Sequence, residues 1–281
     1  MTFVGSDRAA RPETFARIEA FYDAVPRDGA VAEDIGGLVL FVRDGAGWPF
    51  YARPRLDATE PASAGDIADV RARQRELGAP EVLEWVHEVN PDLLAVARSA
   101  GLAVLQAPLM VLDPEALPER PHLPSGASVR LLDPTADTFG AELAASRAVA
   151  EVSFGAPGTV AGNAGPAERD AALPPLTPEH VAGERRSAAE HRRVVAVAER
   201  PGQGIVSSGM VQRVDDVAEI AGVATLPAAR RRGLGGALTA ALARHARSHG
   251  ADLVLLSAGS DDIARVYAGV GFRRIGTACI A

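Results

Sequence analysis

The sequence predicts a mixed α/β (α+β) chain in two parts, each a mixed, mostly antiparallel sheet flanked by helices. Two observations carry this. In the second half, "RRVVAVAE", "GIVSSGMVQRV" and "VAEIAGVAT" are β-rich runs separated by the turn residues "RPGQG" and "DD". The apolar period then changes to that of a helix in "GLGGALTAALARHARSHG", followed by the strand "DLVLLS", the helix "DDIARVYAGVG" and the strand "FRRIGTACIA". The first half closes on the same rhythm of helix, strand, helix, glycine and strand over residues 66–112. Gly78 stands where Gly250 ends its helix, and Gly101 where Gly271 does, which reads as an internal duplication.

Between the halves, "ALPERPHLPSGAS" (residues 116–128) is proline-rich and reads as a connection. The expected parts are residues 1–115, a linker at 116–126, and residues 127–281. Residues 153–180, rich in Gly, Pro and Ala, show no clear period and are expected to form a long loop, of the kind that is either functional or disordered. At 281 residues with 47% hydrophobic content the chain can bury a core, and it holds no apolar run long enough to span a bilayer. No signal peptide is evident in "MTFVGSDRAARPETF", so a cytoplasmic protein is expected. A net charge of −7 argues against nucleic acid as a partner. The sole cysteine, Cys279, excludes an internal disulfide and reads as a buried structural thiol. His180, His191, His245 and His249 show no metal-ligand spacing. His245 and His249 lie four apart on one helix but lack an evident third ligand, so no metal is expected and both are read as surface residues.

The stretch "ATLPAARRRGLGGALTAALARHA" carries the chemistry. A strand that turns into a helix exposes the first unpaired N–H groups of that helix, and the macrodipole adds about half a positive charge there. Gly233, Gly235 and Gly236 let an anion approach this backbone closely, and Arg230, Arg231 and Arg232 add charge just before it. A phosphate, or a pyrophosphate spread over several amides, is the natural guest; a solvated surface run is the plainer reading of the arginines. The chain contains no lysine, which excludes a Walker site. A dinucleotide fold would need GxGxxG inside a parallel βαβ unit with an acid after the next strand, whereas this segment reads GLGGAL and Asp252 precedes its strand. Coenzyme A, whose pyrophosphate would sit on the amides, is the third candidate.

"VATLPAARRRGLGGAL" resembles the acyl-CoA-binding motif of the GCN5-related N-acetyltransferase (GNAT) superfamily, [RQ]xxGx[GA], filled here by Arg230, Gly233 and Gly235, with Pro227 where such proteins commonly carry proline. "ARVYAGVGF" matches the second motif, a helix tyrosine followed by Gly-Phe. The resemblance covers residues 127–281 well and the first half as a degenerate copy, whose counterpart of the elbow reads "RPRLDATEPASAGD". It implies two GNAT-like domains. It further implies that Val223, Ala224 and Thr225 line the pantetheine arm and that the backbone from Arg231 through Leu234 to Gly236 holds the pyrophosphate. Tyr267 then takes the place of the general acid that protonates the leaving thiolate, the alternative being a packing tyrosine. Glu219 stands where several members carry the base that deprotonates the amine, the alternative being an outward strand carboxylate. Ser260 replaces a cofactor-contacting asparagine and reads equally as a helix cap.

The resemblance thus implies an acetyl-CoA-dependent N-acetyltransferase acting on a primary amine by direct attack in a ternary complex, with no metal. A noncatalytic acyl-CoA-binding sensor or assembly module is the alternative. The expected partner is a small-molecule or peptide amine, and the chain a monomer or homodimer.

Overall fold

A computed structural model of the chain describes residues 11–43, 51–119 and 123–281. The start of the stretch read for a signal peptide, and residues 120–122 of the expected linker, lie outside these. The chain divides into two compact units, one reaching to Leu109 and including Ile275–Ala281, the other Met110–Arg274.

The first unit runs α1 (Arg11–Arg27), β1 (Ala30–Ile35), β2 (Leu38–Arg43), β3 (Ala52–Pro54), α2 (Ala64–Glu76), β4 (Glu84–Val86), α3 (Leu93–Ser99) and the start of β5 (Leu105–Leu112). Strands β1, β2 and β3 form an antiparallel sheet. Its core gathers Leu38, Leu40, Ile67, Val70, Trp85, Leu93 and Cys279. Burial pushes the Cys279 thiol up to about 11, so it stays protonated and inert, as a structural thiol should.

The second unit contains β6 (Ser128–Leu131), α4 (Phe139–Phe154), α5 (Pro166–Ala171), α6 (Pro178–Ala189), β7 (Arg193–Arg200), β8 (Gly204–Val214), β9 (Val217–Thr225), α7 (Leu234–Ser248), β10 (Leu253–Ser257), α8 (Asp261–Ala268) and the start of β11 (Phe272–Ile280). Strands β6 to β9 pair antiparallel in chain order, and β10 joins β9 in parallel. Helix α7 buries Leu234, Leu238 and Leu242 at four-residue spacing with alanines between them, so one smooth apolar face meets the sheet. The three β-rich runs of the sequence are β7, β8 and β9. Residues 153–180, expected to be irregular, instead contain α5 and the start of α6. Pro166 opens α5, and the Glu168 carboxylate accepts the Gly165 N–H at 2.6 Å, a start signal short enough to hide among glycines and prolines.

The element order α2, Gly78, β4, α3, Gly101, β5 repeats as α7, Gly250, β10, α8, Gly271, β11, and all four glycines are left-handed. The two equivalent helices start differently. At α2 the Ser63 hydroxyl accepts the Asp66 N–H, while the Asp66 carboxylate accepts the Ser63 N–H at 2.8 Å and the Gly37 N–H at 3.2 Å. Helix α7 starts at Gly233 with no side-chain cap and no acid in its first turn. Among the described residues, no helix is long and apolar enough to cross a membrane.

The Ser63 N–H bond, helped by those from Gly37 and the Ser63 hydroxyl, holds the Asp66 carboxyl below its ordinary value. Its contribution is therefore present above the ordinary carboxyl range and lost as pH falls through the lower folded value. Asp66→Ala is expected to remove about 1 kcal/mol at neutral pH in urea denaturation, with the gap to the parent closing in acid.

Candidate active site

The site is built where β9 leaves its neighbours. On the β8 side Ser208 pairs with Ala224 but Met210 with Ala221, so β9 carries one extra residue. Gly222 takes the left-handed conformation, φ 63°, that a bulge of this kind requires and that a side chain would disfavour. On the other side the parallel ladder with β10 ends at the Leu255–Glu219 pair, although β9 continues to Thr225 and β10 to Ser257. The two strands part there, and the β9 edge from Ile220 onward faces away from any β10 partner.

Beyond Thr225 the chain makes a 3₁₀ turn at Pro227–Ala229 and enters α7. The N–H groups of Arg231, Arg232, Gly233, Leu234, Gly235 and Gly236 have no acceptor among the described residues, whereas those of Ala229 and Ala237 are bonded. Six consecutive amides at a positive helix end form a cradle for an anion. Arg231 (φ 63°) and Gly233 (φ 76°) are both left-handed, and Arg231 to Gly233 are exposed. A Cβ added to Gly235 would meet Thr225 Oγ1 and Val223 Cγ1, each at 3.8 Å, and one on Gly236 would meet Val270 and Val266. The end of β9, the amide row and α8 therefore converge.

Arg230 acts as a brace. Its guanidinium donates to the carbonyls of Thr225 (3.1 Å), Val160 (3.1 Å), Ser153 (2.9 Å) and Ala156 (2.6 Å), and burial pushes it below its ordinary value. With four of its five N–H groups engaged, Arg230 braces the elbow against the end of α4 and the segment after it. The same segment is tied in by Gly162 N–H to Pro227 O (3.1 Å) and Ala228 N–H to Ala164 O (3.0 Å). Nearby, buried Arg169 donates to the carbonyls of Gln203 and Ile205, fastening α5 to the β8 end. None of these supports was visible in the sequence, because their acceptors are backbone carbonyls, which any residue supplies.

Val223 and Thr225 are half-buried and Ala224 is buried. Ser207 Oγ donates to the Ala224 carbonyl at 2.6 Å and lies 2.8 Å from Thr225 Oγ1, fixing the end of β9. Glu219 sits at the last rung before the strands part, half-buried, and accepts from Gln212 Nε2 at 2.8 Å. Tyr267 lies in the core of the second unit at 8% exposure, with Phe272 edge-on at 6.4 Å. Burial pushes its phenol up to about 12, so it keeps its proton throughout the working range. Ser260 Oγ accepts the Ile263 N–H at 3.3 Å and caps α8. The histidines differ from expectation: His245 and His249 are half-buried, and His191 joins them from the turn after α6. Burial, reinforced by His249, His191 and Arg213, pushes His245 down to about 4.

A mixed sheet whose parallel strands part beside an uncapped, glycine-lined helix start defines an α/β fold with a helix start suited to an anionic group. Residues 167–272, within the second unit, match the model of the acetyltransferase (GNAT) family. No curated protein matches the chain in sequence. Among solved structures it is similar to a GCN5-related N-acetyltransferase from Kribbella flavida, at 24% identity and a TM-score of 0.66, over 95% of this chain and 94% of that one. A GCN5-related N-acetyltransferase from Sphaerobacter thermophilus aligns at 21% identity and 0.51, over 74% of this chain and 62% of that one. A tandem GNAT protein from the clavulanic acid biosynthesis pathway, in a structure without acetyl-CoA, aligns at 17% identity and 0.54, over 87% and 78%. At these identities the likeness is one of fold.

Arg230→Lys, which replaces a five-donor fork by a point charge, is expected to lower stability by on the order of 3 kcal/mol in chemical denaturation. Arg232→Ala, on an exposed side chain, is expected to change it by about 0.5 kcal/mol or less.

Proposed function

We propose that the second unit transfers an acetyl group from acetyl-CoA to a primary amine by direct attack in a ternary complex. The observation that carries this reading is the row of six unpaired amides from Arg231 to Gly236 beside the parted strands β9 and β10. Those amides suit the pyrophosphate, and the free edge of β9 around Val223 and Thr225 suits the amide-bearing arm. Acetyl-CoA supplies the activated thioester acyl group. Glu219, at the point where the strands part, takes the proton that the amine nitrogen loses as it bonds to the acyl carbon. The Tyr267 phenol gives a proton to the sulfur as the carbon–sulfur bond breaks. Arg230 positions the amide row; it does not touch the reacting groups.

The first unit is proposed as a degenerate copy of the second. At its equivalent helix start the Asp66 carboxylate accepts the Ser63 and Gly37 N–H groups, placing the protein's own negative charge where an external anion would sit. The acceptor is proposed to be a small-molecule or peptide amine, selected by the segment from Ser153 to His180 that Arg230 holds against the elbow.

Acetyl-CoA binding by calorimetry and turnover over an amine panel test this reading. Gly235→Ala, whose new Cβ meets nothing closer than 3.8 Å, is expected to keep the fold and weaken acetyl-CoA binding by about tenfold or more. Tyr267→Phe is expected to keep binding and lower kcat by about a hundredfold. With the phenol held up to about 12, the basic limb of the pH profile should not reflect Tyr267 and should persist in the variant. Tight binding with no turnover on any amine would favour the noncatalytic acyl-CoA-binding module instead.

A further inference from the structure

At the opposite end of α7 from the amide row, three histidine rings come together that the acetyl-transfer chemistry does not use. His245 and His249 share the last turn of α7, and His191 enters from the turn between α6 and β7. Ring centroids lie 3.8 Å apart for His191–His249, 4.1 Å for His245–His249 and 5.2 Å for His191–His245. Each ring offers a nitrogen such that all three atoms lie within 4.8 Å of one another.

We propose that His191, His245 and His249 form a binding site for a divalent zinc-type cation, with water completing the coordination. Three features beyond proximity point there. His245 Nε2 is fully buried with no hydrogen-bond partner among the described residues, so this nitrogen stays unsatisfied unless something else occupies it. His249 Nδ1 lies 2.8 Å from the His245 carbonyl, to which it can only donate, so its Nε2 keeps the lone pair; a ligating imidazole is held in this way by its other nitrogen. His191 stands one residue past the C-cap of α6 with φ 55°, a left-handed position where glycine or asparagine is preferred.

The C-terminal ends of α6 and α7 both meet this cluster, and the negative ends of their dipoles favour a cation. The nearby Arg213 works against it, but its guanidinium donates to the Asp215 carbonyl. Three neutral imidazoles suit zinc and its neighbours rather than magnesium or calcium. Zinc–nitrogen bonds of about 2.05 Å in tetrahedral geometry need nitrogens about 3.3 Å apart, so the rings must close by roughly 1.5 Å at the widest pair. Exposed His191 is free to make that movement. A bound ion would fasten the turn before β7 to the end of α7, and because the amide row lies a helix length of about 22 Å away, it would do so whether or not the chain transfers acetyl groups.

The test is a titration of the chelator-treated full chain with zinc chloride, followed by calorimetry and thermal unfolding, with cobalt(II) as a spectroscopic probe. One zinc per chain at micromolar affinity or better, a rise in Tm, and the visible bands of four-coordinate cobalt are expected. His191→Asn, which keeps a residue suited to the left-handed turn, and His249→Gln should each weaken binding by about tenfold or more and abolish the Tm rise. The proposal is overturned if zinc fails to bind stoichiometrically, or if both variants fold and bind it as the parent does.

Discussion

The second unit is organised around a helix start left open. The N–H groups from Arg231 to Gly236 have no partner among the described residues, and the turn that carries Arg231 to Gly233 is exposed. What has to be maintained is their alignment. Arg230 does this by gathering four carbonyls from β9 and from the segment after α4. The bulge at Gly222 and the early end of the β9–β10 ladder then open the sheet beside the amides. Positive helix end, parted strands and bracing segment meet at that one uncapped helix.

The first unit shows the alternative. Its helix α2 follows the same order of elements, but Ser63 and Asp66 satisfy the start of the helix from within. A capped start contributes to stability without help from a ligand; an uncapped one gives that up and gains a place for an anion. The two helix starts differ in that one is met by its own serine and aspartate and the other is left open.

Much of this was legible in the sequence. Strands β7 to β9 announced themselves by β-branched runs between turn residues, and the paired glycines 78 and 250, 101 and 271 marked the repeat because left-handed backbone restricts the residue type. The elbow was legible for the same reason. The bracing role of Arg230 was not legible, since an arginine next to a phosphate cradle and an arginine bracing it look alike until its acceptors are known. Helix α5 was hidden in a Gly-Pro-rich stretch, and Ser260 proved to be a cap. The histidine cluster was illegible because His191 lies far from His245 in the chain and meets it through the packing of α6, β7 and α7. Backbone acceptors and through-space neighbours leave no residue pattern to read.

The central claim, that the start of α7 receives the anionic end of acetyl-CoA, is tested most directly by the amide resonances of Gly233, Gly235 and Gly236 in the isotopically labelled chain as coenzyme A is added. The account predicts large, saturable shifts concentrated on these amides and their neighbours from Arg231 to Leu234, with the capped start of α2 unchanged. Saturable binding that leaves the α7 amides in place while shifting resonances elsewhere would contradict it.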